Sequence, residues 1–346
     1  MVLAPYPWLK QAAETLSALS TKMPNAILIH GAPGCGGWDL ARNFAESLLC
    51  ESPREDGSPC GECAGCHLVR AGTHPDLRFV VSEAFAATND LPYTPADNET
   101  TDKKKKSREI RIHQFRTLME FMAMTPHRGG WRVVLIYPAD MIRAEAAASL
   151  LKTLEEPSQG LVFILVADDI DGVLPTIRSR SRLVRLARPS HDEALAWLNA
   201  QPGVTDAEQA LALAGGSPLE ALHADDGMTL PETAQTAVLT LLKLGGRLSL
   251  DRILAVYSSE IQPPALALFL SRWAYDLVRV KLGTSPRYFI GEEKALEALS
   301  SNATLEALLA WQKTVGEMRR SAEHPLAPAQ VFESIMIAYA MAFKDH

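Results

Sequence analysis

Cys50, Cys60, Cys63 and Cys66 form a C-x9-C-x2-C-x2-C run, and the fifth cysteine, Cys35, stands apart from it. Four thiolates at such separations can close tetrahedrally on Zn²⁺, with Gly61 and Gly65 allowing tight backbone turns between them. Two other readings compete: buried or free thiols, and a redox C-x-x-C pair. The Pro, Gly and acidic neighbours speak against an apolar thiol cluster. Two overlapping C-x-x-C pairs with a further cysteine upstream suit metal better than redox chemistry. The run therefore predicts a closed, structural zinc module over about 50–66, with His67 a bystander.

A second constellation is Gly31-Ala32-Pro33-Gly34-Cys35-Gly36-Gly37-Trp38, which lies between an apolar run and a helical pattern over Asp39–Leu49. Strand, glycine loop and helix form the context in which backbone N–H groups and a helix N-terminus cradle phosphates. Gly31 and Gly36 keep the spacing of G-x-x-x-x-G-K-[ST]. Gly37 stands where the phosphate-binding lysine belongs, and Trp38 where a hydroxyl would hold Mg²⁺. A third strand, Arg132–Ile136, is followed by Tyr137-Pro138 rather than by an acidic pair that could hold the metal and activate water; the nearest carboxylate, Asp140, sits further on. No tight or hydrolytic ATP binding is expected of such a loop. A glycine turn in an unrelated α/β fold is the alternative.

The third is a string of arginines, Arg178, Arg180, Arg182, Arg185 and Arg188, that follows Leu174-Pro175-Thr176-Ile177. On pattern alone three readings stand open: a solvated or salt-bridged face, a DNA patch, and an arginine finger. A guanidinium is permanently charged and planar, so it can chelate phosphate oxygens in a partner's site.

Elements able to position these residues are visible in the first half. Five short apolar runs, Ala26–His30, Leu77–Val81, Arg132–Ile136, Leu161–Val166 and Leu183–Leu186, predict buried parallel strands. Helical patterns over Ile110–Met124 and Ile142–Glu155, the latter ended by Pro157, alternate with them and argue for a doubly wound α/β domain. Residues 86–107 break the rhythm and read as a surface insertion. Its Lys103–Lys106 run is either a solvated charge run or a segment that brushes DNA phosphates. From Pro189 onward strand patterns give way to helical ones. A small helical unit runs to about Asp226, with a linker at 224–227, and amphipathic stretches follow near 231–244, 249–260, 263–282, 303–320 and 327–343.

With 346 residues, the chain has length for two or three domains, and its composition is that of a globular protein, 47% hydrophobic and 22% charged. No apolar run is long enough to span a bilayer, and Met1–Lys10 lacks the pattern of a secretion signal, so a cytoplasmic protein is expected. The formal charge of −7 comes from the second half: 189–346 carries 12 Lys and Arg against 19 Asp and Glu, while 1–188 is balanced at 22 each. A protein that held nucleic acid alone would show a basic surface, so any DNA contact is expected to be shared with other chains.

Together these pieces resemble the clamp-loader AAA+ family of bacterial DNA polymerase III, over nearly the whole length. The most specific are the zinc cysteines after the loop helix, His74-Pro75-Asp76-Leu77, Ala147-Ala148-Ser149-Leu150-Leu151-Lys152-Thr153-Leu154-Glu155-Glu156-Pro157, and Leu174-Pro175-Thr176-Ile177-Arg178-Ser179-Arg180. The resemblance implies that Ser179, Arg180 and Ser181 match the family's Ser-Arg-Cys motif, and that Arg180 acts in trans on a neighbouring ATP site. Ser181 departs from the usual cysteine, but the arginine carries the chemistry. Gly216-Ser217-Pro218-Leu219 matches a stretch that bears a nucleotide-sensing arginine in active members, a role closed to Leu219.

The implied architecture is an AAA+ α/β domain at 1–188 carrying the zinc module, a helical lid at about 189–226 and an all-α collar at about 227–346. Loss of the loop lysine, acidic pair and sensor separates the chain from the hydrolysing gamma/tau subunits, and its zinc cysteines and Ser-Arg signature separate it from the delta subunit. The resemblance thus implies a non-hydrolysing stator that works with gamma/tau, delta, the sliding clamp and primer-template DNA, with structural zinc as its cofactor. An ATP-hydrolysing motor with a divergent loop, and a zinc-dependent nucleic-acid binder, are the competing functions.

Overall fold

The computed structural model describes residues 3–95, 106–128, 130–156, 158–222, 229–321 and 327–343. The chain divides into two compact units, Met1–Glu193 and Ala194–His346. Pro157, Lys103 to Lys105 and the linker at 224–227 lie outside the described residues.

The first unit is built on five parallel strands: β1 (Ala26–His30), β2 (Leu77–Val81), β3 (Arg132–Tyr137), β4 (Leu161–Ala167) and β5 (Arg182–Arg185). Their order is β2-β3-β4-β1-β5. The predicted parallel α/β class is what the chain adopts. Strands β1, β3 and β4 are buried along almost their whole length, as expected where helices cover both faces of a parallel sheet. Ile27, for example, pairs with Ile164 of β4 on one side and Arg182 of β5 on the other. β5 begins one residue before its predicted start and stops before Leu186. It is an edge strand, so exposed arginines take part in its ladder.

The region predicted as one helix over Ile110–Met124 forms two short ones, Ile112–Arg116 and Met119–Ala123. Between them the Thr117 hydroxyl donates to the Gln114 carbonyl at 2.9 Å, a local bond that competes with continuation of the helix. The helix predicted over Ile142–Glu155 begins slightly later, at Ala144–Glu155. The His74-Pro75-Asp76 segment is a brace: the buried Asp76 carboxylate accepts from the backbone N–H groups of His127 (2.7 Å) and Arg128 (3.0 Å).

Among its described residues, the second unit is helical. Ala194, Leu198, Ala207 and Leu211 make one small apolar cluster. A larger core gathers residues from Leu230 to Phe343 around Trp273 and Tyr339. Helices Glu232–Leu242, Leu250–Val256, Pro263–Lys281, Leu305–Ser321 and Pro328–Met341 lie within the five predicted amphipathic stretches or end within a residue of them. The helix Glu293–Ser301 is an addition. Asp276, fully buried, accepts three backbone N–H bonds from Arg287, Tyr288 and Phe289, each at 2.8 Å. No helix among the described residues is long and apolar enough to cross a membrane.

Candidate functional site

The four cysteines meet. Their sulfurs all lie within 4.8 Å of one another, with Cys50 to Cys63 and Cys60 to Cys66 at 3.9 Å. A tetrahedron with Zn–S bonds of about 2.3 Å requires S···S separations of about 3.8 Å, so the donor set fits zinc with little adjustment. Backbone N–H groups point at the sulfurs: Cys60 N–H at Cys50 Sγ (3.3 Å), Glu62 and Cys63 N–H at Cys60 Sγ (3.4 and 3.3 Å), and Cys66 N–H at Cys63 Sγ (3.4 Å). Those from Glu62 and Cys63 push the Cys60 thiol down to about 6, while burial pushes Cys50 and Cys66 up. Gly61 takes φ +81°, and a Cβ on Gly65 would come within 2.5 Å of the Leu49 carbonyl oxygen, so both glycines are required by the backbone path. Arg70 anchors the module, donating to Gly61 O at 3.0 Å and pairing with the buried Glu46 at 2.9 Å.

The glycine loop leaves the carboxyl end of β1 and enters the helix Gly37–Leu49. Gly34 and Gly36 adopt φ +70° and +86°. Two N-terminal aromatics, stacked with centroids 5.2 Å apart, lie against the loop: Trp8 donates to the Cys35 carbonyl (2.9 Å), and Tyr6 donates to Asp39 Oδ2 (2.9 Å). A Cβ on Gly36 would meet the Tyr6 ring at 2.5 Å, so glycine is required here for close approach as well as for backbone conformation.

Trp38 and Tyr137, read separately in the sequence as two lost functional positions, touch each other. Trp38 packs against Phe85 (4.9 Å between centroids), Tyr137 (5.8 Å) and Phe79 (5.9 Å), and Phe85 meets Tyr137 edge-on at 4.5 Å. Rings thus fill the corner between the loop helix and the end of β3. The two carboxylates nearby already accept hydrogen bonds. Asp168, at the end of β4, accepts from the Tyr137 hydroxyl at 2.7 Å and is raised to about 6 by burial; Asp140 accepts from the Asp168 N–H and is also raised by burial. Asp168 and the two N-terminal aromatics carry no motif that the sequence could have displayed.

The arginine string begins at the last residue of the short helix Pro175–Arg178, which is anchored by the fully buried Ile177. All five arginines are exposed. Arg178 lies 3.6 Å from Asp171. Arg180 donates through Nε to Glu155 at 2.7 Å and through Nη1 to the Thr176 carbonyl at 3.1 Å. Ser181 donates to the Ile177 carbonyl at 2.9 Å. Gly216-Ser217-Pro218-Leu219 opens the helix Pro218–Leu222, with Leu219 buried.

A glycine loop between an inner parallel strand and a helix defines an α/β protein with a parallel sheet, here with neither lysine nor hydroxyl at the end of the loop. Comparison with known proteins narrows the class. Residues 10–190 match the family model described as DNA polymerase III, delta subunit. DNA polymerase III subunit delta' of Pseudomonas aeruginosa is 33% identical over 282 residues, which cover 80% of this chain and 78% of that one. The Escherichia coli protein of the same name is 34% identical over 223 residues, covering 63% of this chain and 60% of that one. The solved structure of a DNA polymerase III, gamma subunit-related protein from Thermotoga maritima aligns over 96% of this chain and 99% of that one, at 17% identity with a TM-score of 0.47. The chain belongs to the family of DNA polymerase III delta' subunits.

Proposed function

We propose that this chain is the non-hydrolysing, stator-like subunit of a clamp loader: it joins gamma/tau and delta subunits, supports loading of the sliding clamp onto primer-template DNA in the cytoplasm, and lends Arg180 to a neighbour's ATP site. The observation that carries the reading is the ring contact between Trp38 and Tyr137. An ATP site needs a cation for the β- and γ-phosphates, a hydroxyl for Mg²⁺ and a carboxylate beside it. In this chain Gly37 and Trp38 supply neither cation nor hydroxyl, and the aromatic cluster takes up the corner where the metal would sit.

Arg180 supports the other half of the reading, because its guanidinium is exposed and permanently charged. In this proposal Gly31, Gly34, Gly36, Gly37 and Trp38 form a vestigial phosphate loop. Zinc at Cys50, Cys60, Cys63 and Cys66 is structural, since four thiolates leave no open coordination position. Residues 1–188 act as the AAA+ domain, 189–226 as a lid and 227–346 as the collar.

Nucleotide titration of the isolated chain, with reconstitution beside gamma/tau and delta, tests the proposal. The expected result is no saturable ATP binding and one complex whose clamp loading requires this chain. Tight ATP binding with turnover by the chain alone would overturn it in favour of a hydrolysing motor.

A further inference from the structure

We propose that Glu155 is a positioning residue for Arg180, fixing one edge of the guanidinium so that its charge is presented outward in a single orientation. The inference rests on the reading of Arg180 as a trans-acting finger and assigns what aims it.

Both partners are held at the backbone by buried neighbours. Glu155 ends the helix Ala144–Glu155 directly after Leu154, which is 2% exposed and whose carbonyl accepts from the Asn25 side chain. Arg180 lies just past the buried Ile177, with its own N–H bonded to the Ile177 carbonyl at 3.1 Å. Across this gap Arg180 Nε and Nη2 both engage Glu155 Oε1. Nη1 turns back to the Thr176 carbonyl at 3.1 Å and lies 3.4 Å from Ser179 Oγ. The Nε–Nη2 edge is therefore committed to Glu155, and Nη1 is steadied by the preceding turn. The side chain stays 36% exposed, so one N–H of Nη2 and the charge remain available to an approaching phosphate. A long side chain fixed in advance loses less freedom when it meets a phosphate.

Glu156 supplies a control. It carries the same charge one residue further on and is exposed. A general electrostatic effect of removing acid near Arg180 would appear for both residues, and a positioning effect for Glu155 alone.

The test uses the complex reconstituted with gamma/tau and delta subunits and measures ATP hydrolysis stimulated by DNA and clamp. The Arg180-dependent part of the rate is its fall in Arg180→Ala. Exposed ion pairs of this kind shift populations by roughly two- to five-fold. Glu155→Ala is expected to lower the Arg180-dependent part of kcat by about that factor with KM for ATP unchanged. Glu155→Gln, which keeps an acceptor for Nε, should restore part of the loss, and Glu156→Ala should behave as the parent. In the Arg180→Ala background Glu155→Ala should add nothing. An unchanged or faster rate in Glu155→Ala, or an equal loss in the Arg180→Ala background, would overturn the proposal. If Arg180→Ala itself has no effect, the finger reading fails first, which separates the two failures.

Discussion

Restoring the missing loop residues should not restore the enzyme. In Gly37→Lys with Trp38→Thr the cation and hydroxyl return, but Tyr137-Pro138 still offer no metal-binding carboxylate, and Asp168 is engaged by the Tyr137 hydroxyl. The replacement also disturbs packing. A Cβ on Gly37 comes 3.1 Å from both Leu186 Cδ1 and Val166 Cγ1, so these side chains must yield by a few tenths of an ångström, at about 1 kcal/mol. Removing the Trp38 ring loses three aromatic contacts, each worth about 0.5–1.5 kcal/mol beyond buried area, for a loss of about 2–4 kcal/mol. The double variant should thus be about 3–5 kcal/mol less stable, a large share of a typical domain's 5–15 kcal/mol, and still fold. Urea unfolding followed by circular dichroism gives the first number, and phosphate release from the isolated chain gives the second. ATP turnover above that of a matched parental preparation would refute the reasoning about the end of β3, and an unchanged unfolding midpoint would refute the packing argument.

Two further outcomes are expected. Protein purified under reductant should contain about one zinc per chain, lost in Cys60→Ser with Cys63→Ser, and the loss should destabilise the Cys50–Cys66 module while the sheet stays folded; full metal content in the double variant would contradict the site. Asp168→Asn should stabilise the protein in a pH-dependent way, because a carboxyl at about 6 when folded and about 3.9 when unfolded binds more protons in the folded state between those values. Stability from this group therefore falls as pH rises from about 4 to about 6, so the substitution should gain up to roughly 3 kcal/mol at pH 8 and almost nothing at pH 4; an equal gain at both pH values would contradict it.

The sheet was legible because strands buried on both faces appear as continuous apolar runs, and four of the five begin where those runs predict. β5 was shifted because arginines at a sheet edge pair through their backbone whatever their side chains suggest. The cysteine spacing displayed the metal set, but the N–H donors aimed at the sulfurs depend on turns that spacing does not specify. Trp38 and Tyr137 each read as a missing function. Their contact follows from the strand order, which places β4 alone between β1 and β3 and so brings two positions about a hundred residues apart to one corner. Glu155 lies in the Leu154-Glu155-Glu156-Pro157 stretch, and its pairing with Arg180 depends on the fold bringing two helix ends together.

The most direct test of the central claim is Arg180→Ala in the reconstituted complex, with Arg178→Ala and Arg185→Ala as charge-matched controls. Finger arginines contribute about 10³–10⁵ in rate at a site that depends on them. Other sites in the assembly would keep their own arginines, so the total loss should be smaller. Arg180→Ala is expected to assemble normally and to lower hydrolysis stimulated by DNA and clamp, while the two controls leave it near the parental rate. Parental hydrolysis and clamp loading by an assembled Arg180→Ala complex, or equal and salt-dependent losses in all three variants, would contradict it.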